Sequence, residues 1–506
     1  MSGGKCAVCG ATAGQQCAGC KVVYYCGREH QRAHWPKHRS ECRPVTLTED
    51  IQLGRYLIAS RNIAAGELVL KENPTILEKL YTQEEDGEQG PKYVSRPICL
   101  GCLKAAKVDC PCSGCGWPLC SSECETSSQH RAECTLMRSK GFRADISSED
   151  RRFPDYVCIA PLRVLQLPEE KRRKVLELQS HLEARKKTPI YNVLKNNVVA
   201  FLRQMLGFAE QYTEDEILEI CAILDTNAFE VQPHGGLKVR GLYLLAAMMA
   251  HDCKPNTRHA FDDSNTLYVY ATVDIKKGEN VTTTYTNTFW STTMRHIHLQ
   301  NAKCFDCTCA RCSDPTEFGT FVGAIVCSKC NQGKVISTEP LKIQAPWKCN
   351  SCGNEISAKQ IDWGNQALRE EVDKLDKRGP KDLEDFLEKY KNILHPTNGH
   401  SLQAKHALSK IYGNAEGYQL SDLNEAQLER KLEITHELLD EILGDAMGML
   451  QEATQILRNE PGMEGVLQER LATLASQLDI VLESEPLPTE PKSRLAKPPA
   501  TAVQEN

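Results

Sequence analysis

The stretch from Gly241 to Cys312 decides how this chain of 506 residues folds. Its parts are GLYLLAAMMAHDCKPNTRHAF at 241–261, LYVYATVDIKKGENVTTTYTN at 267–287 and KCFDCTCARC at 303–312. The first part is apolar up to His251, and Pro255 then forces the chain out of helix or strand. The second part contains two β-rich runs around a charged turn, which predicts Tyr285 at a strand end.

The third part supplies three closely spaced thiols, those of Cys307, Cys309 and Cys312. Structural zinc is tetrahedral, so three thiolates hold the ion only if a fourth ligand arrives from elsewhere. Cys253 is the obvious donor of that ligand. We therefore predict a zinc site that ties the first part to the third.

These motifs resemble those of SET-domain lysine methyltransferases. AHDCKPN is similar to their NHSCxPN motif, KKGENVTTTY to the GEELTxxY strand that holds a catalytic tyrosine, and CFDCTCARC to their post-SET zinc cluster. The resemblance implies a SET fold, S-adenosyl-L-methionine (SAM) and zinc as cofactors, Tyr285 as the catalytic residue, and a protein substrate with a lysine.

Composition narrows the protein class and the compartment. A net charge of −6 argues against a general nucleic-acid coat, which needs a basic surface, so we expect DNA contact to be weak or absent. No apolar run approaches a membrane span of about 18 residues, and the first residues lack a signal-peptide core. Twenty-five cysteines in CxxC pairs with nearby histidines indicate zinc rather than disulfides. We expect a soluble intracellular monomer of the nucleus and cytoplasm.

Two zinc units share a pattern that ends in HxxxC, because PKHRSEC at 36–42 recurs as SQHRAEC at 128–134. Each unit offers eight ligands, enough for two tetrahedral sites. The first set is Cys6, Cys9, Cys17, Cys20, Cys26, His30, His38 and Cys42. The second set is Cys99, Cys102, Cys112, Cys115, Cys120, Cys124, His130 and Cys134.

The first unit resembles a MYND zinc finger, including YYC at 24–26 and the pair His34–Trp35. The resemblance implies interleaved ligands, with Cys6, Cys9, Cys26 and His30 on one zinc and Cys17, Cys20, His38 and Cys42 on the other. It also implies binding of proline-containing peptides. Residues 21–43 carry an excess of basic side chains, which either dock an acidic partner or are simply solvated.

A zinc ribbon is predicted downstream by CxxC, eighteen residues and CxxC again, at Cys327, Cys330, Cys349 and Cys352. With the cluster of Cys253, Cys307, Cys309 and Cys312, twenty-four ligands at four per ion predict six zinc ions. Cys110, Cys158, Cys221 and Cys304 are left over.

The rest of the chain is predicted from periodicity. LGRYLIASRNIAAGELVLKENP at 53–74 predicts a β-hairpin, and the polar stretch from about 75 to 98 predicts a loop. Apolar residues three and four apart predict helices in 135–226 and again from 363 to about 484, whereas the proline-rich end predicts disorder.

The order of these parts resembles the Smyd (SET and MYND) family, and its variant motifs resemble the insect-type A branch. The fold class is therefore α+β and multi-domain, with a SET β-fold split by a second MYND-like unit and a helical insert. The predicted domains are a MYND finger (1–45), N-terminal SET (46–98), second MYND-like unit (99–134), helical insert (135–226), core SET (227–290), post-SET cluster (291–316), zinc ribbon (317–360), helical TPR-like domain (361–484) and disordered tail (485–506).

The same resemblance implies the cofactor-binding residues, which are Arg55, Asn227, His251, Tyr285 and Phe305. Three positions depart from the family pattern. Tyr56 replaces a turn glycine, Ala250 replaces an asparagine, and Lys303 stands where many relatives have a second tyrosine.

Two functions follow from these features. The first is a SAM-dependent protein-lysine N-methyltransferase that acts on histones. The second is a catalytically weak zinc-rich adaptor and transcriptional regulator that docks proline-containing partners through its first finger. Family resemblance favours the enzyme, and the three departures favour the adaptor.

Overall fold

The structure is a computed structural model. It describes residues 4–17, 23–42, 44–51, 53–79, 84–86, 90–92, 98–104, 106, 110–144, 156–231, 239–376 and 378–443, without the side chains of 39–42, 79, 84–86, 90–92 and 439–443. All of these residues belong to the compact unit Met1–Met447. The last predicted helix of the TPR-like domain and the tail from 485 to 506 lie outside the described residues.

The N-terminal finger is built from short strand pairs and one helix. Its elements are β1 Gly4–Lys5, β2 Thr12–Ala13, β3 Gln15–Gln16, β4 Tyr24–Tyr25 and α1 Arg28–Cys42. Strand β1 pairs with β2, and β3 pairs with β4. Four buried residues form a small core of their own, and these are Cys6, Ala13, Cys17 and Tyr25.

Small sheets form the SET part of the chain. Their strands are β5 Val45–Asp50, β6 Gly54–Ala59, β7 Leu68–Glu72, β8 Ile76–Lys79, β9 Glu84–Asp86, β10 Gly90–Lys92, β11 Phe229–Val231, β12 Val239–Leu242, β13 Ala250–His251, β14 Thr257–Phe261, β15 Leu267–Ala271 and β16 Thr282–Thr283. The three-stranded sheets have the orders β11-β12-β8 and β14-β15-β7, and β13 pairs in parallel with β16. Segments from before and after the helical insert therefore meet in both three-stranded sheets.

Two local predictions for this part are wrong. Strands β6 and β7 do not form a hairpin with each other, because β6 pairs with the preceding β5 and β7 pairs with β15. A tight turn sets the observed hairpin, in which Asp50 Oδ1 accepts a hydrogen bond from Leu53 N at 2.7 Å and Gly54 has a φ of +67°. The stretch predicted as a loop contains β8, which lies beside β12 in the sheet.

The insert between the two SET halves is helical, as predicted. Its α-helices are α2 Ser128–Ser139, α3 Ile159–Leu165, α4 Glu169–Leu176, α5 Leu182–Arg185, α6 Pro189–Leu194 and α7 Glu214–Asn227. Helix α7 begins at a capping box in which Thr213 and Glu216 satisfy each other's backbone donors. Leu162, Leu202 and Ile223 are fully buried, and they share one continuous core with the SET strands.

The C-terminal part described by the structure begins with the post-SET helices α8 Thr292–His298 and α9 Ala310–Ser313. A four-stranded ribbon follows, with β17 Ile325–Val326, β18 Lys334–Ser337, β19 Trp347–Cys349 and β20 Glu355–Ile356. The helices after it are α10 Ala358–Lys374, α11 Lys381–Tyr390, α12 Gly399–Asn414 and α13 Glu425–Leu443. They pack around their own core, which includes Phe386, Leu408 and Ile434. Within the described residues, no helix has the length and apolar character needed to cross a bilayer.

Candidate active site and zinc centres

Tyr285 lies two residues beyond β16, where the parallel pairing of β13 with β16 brings it to the 250–251 segment. Its backbone N–H donates to His251 Nδ1 at 3.0 Å, and its phenol donates to the carbonyl of Met249 at 2.5 Å. Burial raises the pKa of Tyr285 to about 12. At neutral pH the phenol is therefore a neutral hydrogen-bonding group held in a fixed orientation.

His251 connects this tyrosine to the zinc cluster. Because Nδ1 accepts from a backbone N–H, the single proton of a neutral ring lies on Nε2, which is 3.2 Å from Cys253 Sγ. Burial lowers the pKa of His251 to about 4, so the ring is neutral at pH 7. The imidazole thus donates to a thiolate with one nitrogen and positions Tyr285 with the other.

The four predicted ligands of the post-SET cluster come together. Their sulfur atoms all lie within 4.8 Å of one another, and Cys253 Sγ is 3.8 Å from Cys307 Sγ and 3.5 Å from Cys312 Sγ. A tetrahedral zinc with Zn–S bonds of about 2.3 Å requires sulfurs about 3.8 Å apart. The donor set therefore fits zinc.

Buried charge surrounds this cluster. Arg295 is fully buried, donates from Nη2 to Cys312 Sγ at 3.4 Å and pairs through Nη1 with Glu317 at 2.6 Å. A guanidinium beside a thiolate offsets the excess negative charge of a four-cysteine site and orients the ligand. Cys304 adjoins the cluster in sequence but is absent from the group of four.

Four further groups have metal-ligand geometry, with donor atoms again within 4.8 Å of one another. They are Cys6, Cys9, Cys26 and His30; Cys99, Cys102, Cys120 and Cys124; Cys112, Cys115, His130 and Cys134; and Cys327, Cys330, Cys349 and Cys352. Both zinc units thus use interleaved ligands where they are described. Cys20 and the side chain of Cys42 lie outside the described residues, so the site of Cys17, Cys20, His38 and Cys42 stays a prediction.

A buried ion pair fastens the second zinc unit to the SET fold. His130 Nδ1 lies 3.2 Å from Glu133 Oε1, and the other ring nitrogen faces Cys115. Glu133 in turn accepts two hydrogen bonds from Arg163, at 2.6 and 2.9 Å. Arg163 also donates to the carbonyl of Leu77 on β8 at 2.7 Å. A carboxylate behind a ligating histidine fixes its tautomer and its ring orientation.

The residues expected to contact SAM surround Tyr285 and the end of α7. The rings of His251 and Phe305 are 5.9 Å apart, and Phe305 lies 6.4 Å from Tyr285. Asn227 donates its amide nitrogen to the carbonyls of Gln179 and Ile223, at 2.9 and 2.8 Å, which leaves Oδ1 as an acceptor. Arg55 donates to the carbonyl of Glu177.

This donor set fits SAM. Aromatic faces suit its adenine, and an amide oxygen suits an N–H or O–H donor on the nucleoside. Both nitrogens of the His251 side chain face the protein, and its role towards SAM stays a prediction. Its neighbour Ala250 pairs through the backbone with Thr282.

Tyr56 and Lys303, the other two residues that depart from the family pattern, each hydrogen-bond to a nearby group. Tyr56 hydrogen-bonds to Asp50 within the β5–β6 hairpin, which raises the pKa of its phenol. Lys303 donates to the carbonyl of Thr226 at 2.6 Å, and its Nζ lies 5.5 Å from the ring centroid of Tyr285.

The buried ion pairs were missed by sequence reasoning. Glu133 and Arg163 are thirty residues apart, and Arg295 and Glu317 are twenty-two apart. Neither pair has a fixed motif spacing, and a lone arginine in a helical insert is usually a solvated charge. A single basic residue in an otherwise apolar helix, such as Arg163 in α3, is the sequence feature that could have indicated a buried ion pair.

Comparison with known proteins agrees with this geometry. Residues 6–42 match the MYND finger family, and residues 54–286 match the SET domain family. Isoform B of the SET domain-containing protein SmydA-8 of Drosophila melanogaster is 30% identical over 346 residues, which cover 66% of this chain and 72% of the fly protein. The chain belongs to the Smyd family.

Other relatives of this Smyd protein extend the comparison. Isoform A of the same fly protein is 28% identical over 366 residues, covering 69% of the chain and 74% of isoform A. The mouse protein named histone-lysine N-methyltransferase SMYD3 is 25% identical over 276 residues, covering 51% of this chain and 59% of the mouse protein. Among solved structures, a SET domain of LSMT bound to lysine and AdoHcy has a TM-score of 0.28 and 12% identity, over 90% of this chain and 98% of that one.

Family membership confirms the broad class predicted from the motifs. The chain is an α+β, multi-domain Smyd protein of the protein-lysine methyltransferase class, with SAM as cofactor and zinc as structural metal. Its MYND finger belongs to a class of protein-interaction modules.

Proposed function

We propose that this Smyd protein methylates lysine side chains of histones, with Tyr285 as the catalytic residue. The observation that carries the proposal is the phenol of Tyr285, held 2.5 Å from the carbonyl of Met249 beside Phe305. A phenol and a carbonyl this close can together orient a polar group. The name of the mouse relative supports histones as the substrate class.

The chemistry that these residues perform is positioning. A lysine amine attacks only when it is neutral, in line with the leaving bond and shielded from water. SAM, when bound, supplies the methyl group as an activated sulfonium. Tyr285 and the carbonyl of Met249 orient the amine, and the rings of His251 and Phe305 exclude water around it.

Tyr285→Phe tests the catalytic role. We expect methyl transfer to fall by about 100-fold or more, the usual contribution of a positioned polar group, while SAM affinity changes by less than about twofold. Tyr268→Phe is the matched control, because Tyr268 is a buried tyrosine of β15 whose phenol also donates a hydrogen bond, to Asp262 at 3.2 Å. Radiolabelled transfer to a histone panel measures the first quantity and calorimetry the second. Equal activity in Tyr285→Phe and the parent would remove Tyr285 from the mechanism.

A second candidate function is an adaptor role for the first finger. Its core is separate from that of the SET domain, and Trp35 on the basic helix α1 is 46% exposed. Aromatic residues of this kind anchor peptides at low entropic cost. We propose that this finger binds proline-containing peptides, that DNA contact is weak or absent, and that the monomer acts in transcription regulation in the nucleus and cytoplasm.

Peptide titration separates the two functions. If the chain is only an adaptor, a proline-containing peptide will bind while SAM gives no calorimetric heat. If it is an enzyme with a docking module, both ligands will bind to the same chain, and Tyr285→Phe will leave both affinities unchanged.

A further inference from the structure

Lys303 places a buried cation next to the proposed catalytic tyrosine. Its Nζ donates to the carbonyl of Thr226, at the C-terminal end of α7, at 2.6 Å. The same nitrogen lies 5.5 Å from the ring centroid of Tyr285. The carbonyl end of a helix carries partial negative charge, so it holds an ammonium group in place without neutralising it.

The charges around Lys303 leave it uncompensated by any ion pair within the described residues. Asp225 is the acid that acts on it, but that carboxylate already accepts from Arg240 at 2.6 Å and lies 3.9 Å from Arg185. Arg185 adds a second cation, which donates to the carbonyl of Ala302 at 2.8 Å and to Thr226 Oγ1 at 3.0 Å. Lys303 therefore contributes a positive charge beside Tyr285 that no ion pair among the described residues neutralises.

The histidines near this group add no charge at neutral pH. Burial, helped by Arg185 and Lys303, lowers the pKa of His181, and burial, helped by Lys303, lowers that of His298. The phenol of Tyr285 is also neutral, as described above. Among the described residues, Lys303, Arg185 and Arg240 are the cations on this side of Tyr285 and Asp225 is the acid. The thiolates on the other side have Arg295 as their own counter-charge.

We propose that Lys303 is a positioning residue whose ammonium favours the neutral, nucleophilic form of the substrate lysine at Tyr285. The inference rests on the proposed methyl transfer, because it assumes that the substrate amine reaches Tyr285. Two like charges in one low-dielectric site repel, so the incoming ammonium loses its proton to water more readily. The neutral amine then has the lone pair that forms the new N–C bond.

The ionisation of Lys303 itself gives this effect an upper pH limit. Burial, with Arg185 as the next largest cause, lowers the pKa of Lys303 to about 8. Its charge is therefore present at pH 7 and disappears as the pH rises past about 8. The benefit to the substrate amine should disappear over the same interval.

The first test does not require activity. Calorimetry measures the affinities of SAM, a sulfonium cation, and S-adenosylhomocysteine, its neutral thioether product, for the parent, Lys303→Met and Lys303→Arg at pH 7. Methyl transfer requires the sulfonium near the amine, so the same field penalises SAM relative to the thioether. We expect the preference for the thioether to fall about three- to tenfold in Lys303→Met and to change less than twofold in Lys303→Arg. An unchanged preference in Lys303→Met would overturn the proposal.

The second test is the pH profile of methyl transfer for the same three proteins. For Lys303→Met, we expect the acidic limb of kcat, which reports ionisation in the enzyme–substrate complex, to move up by about one pH unit, while Lys303→Arg keeps the parental limb. Coincident profiles for the parent and Lys303→Met would contradict the proposal, since a purely structural lysine would change rate at all pH values alike. If no protein transfers methyl but the ligand preference shifts, the field at Lys303 stands and the proposed methyl transfer fails.

Discussion

The two zinc units have nearly the same ligand order, yet they relate to the rest of the molecule in opposite ways. The buried residues of the first unit form a separate small core. Those of the second unit, including Cys115, Trp117 and Met137, belong to the same core as the SET strands and the helical insert. One ligand pattern therefore produces a finger with its own core in the first case and a part of the SET core in the second.

Buried charged residues also tie the second zinc unit to the SET strands. The second unit reaches β8 through His130, Glu133 and Arg163, all buried and joined by hydrogen bonds of 3.2 Å or less. Strand β8 pairs with β12, which leads into the 250–251 segment beside Tyr285. The cluster of Cys112, Cys115, His130 and Cys134 therefore supports the fold around Tyr285, the proposed catalytic residue.

The largest expected effect is the unfolding caused by removing one zinc ligand from each unit in turn. Cys115→Ser and Cys6→Ser each remove one buried ligand, and loss of a structural zinc forfeits on the order of 10 kcal/mol of binding free energy. We expect Cys115→Ser to unfold the SET core and Cys6→Ser to unfold the first finger alone. Hydrogen exchange resolved by segment measures both outcomes. Equal protection of β12 in the two variants would abolish the distinction.

Arg163→Met tests the charged link by itself. The substitution leaves the carboxylate of Glu133 buried without its guanidinium, which costs about 3–5 kcal/mol. Denaturant unfolding should show this loss, and adding Glu133→Gln to the same chain should recover part of it. If the double variant is as unstable as the sum of the single variants, the two side chains do not act as a pair.

A large part of the architecture could be predicted because zinc ligands follow fixed local spacing. CxxC pairs and the HxxxC ending were sufficient to propose the clusters that the structure assembles, since those distances are encoded within a few residues. The strand partners of β6 and β7 could not be predicted in the same way. Adjacent alternating runs favour a hairpin, but β7 gains more by pairing with β15, about 200 residues away.

The active site shows the same limit. The motifs predicted Cys253 as a ligand of the cluster, but they did not predict the hydrogen bonds of the His251 ring to Cys253 and Tyr285. Hydrogen-bond partners depend on tertiary packing that sequence periodicity does not encode. The ion-pair partners of Arg163 and Arg295 could not be predicted for the same reason.

Removing Lys303 should change stability less than removing Arg163. Arg163 is a buried cation with an ion pair, whereas Lys303 has no ion pair among the described residues. The pKa of Lys303 is 10.5 in the unfolded chain and about 8 in the folded protein, so between these values the unfolded state binds more protons. Parental stability should therefore rise with pH across this window. Lys303→Met should raise the free energy of unfolding at pH 7 by about 1–3 kcal/mol, and this gain should vanish by about pH 10.5. A gain that is independent of pH would contradict the shifted pKa.

The smallest expected effect on stability is that of Trp35→Ala in the first finger. Trp35→Ala should change the free energy of unfolding by less than about 0.5 kcal/mol, because the side chain is exposed. The same variant should weaken binding of a proline-containing peptide by at least about tenfold if Trp35 is an anchor. Trp363→Ala, at an exposed tryptophan of α10, is the control and should leave peptide binding unchanged. Equal peptide binding by both variants would exclude Trp35 from the docking surface.

Calorimetric titration of SAM into the parent, Cys6→Ser and Cys115→Ser tests the central claim most directly. We predict the same affinity for the parent and Cys6→Ser, and no binding by Cys115→Ser. Binding of SAM by Cys115→Ser with parental affinity would contradict the structural role of the second zinc unit. Absence of heat in the parent itself would contradict the assignment of this chain as a SAM-dependent enzyme.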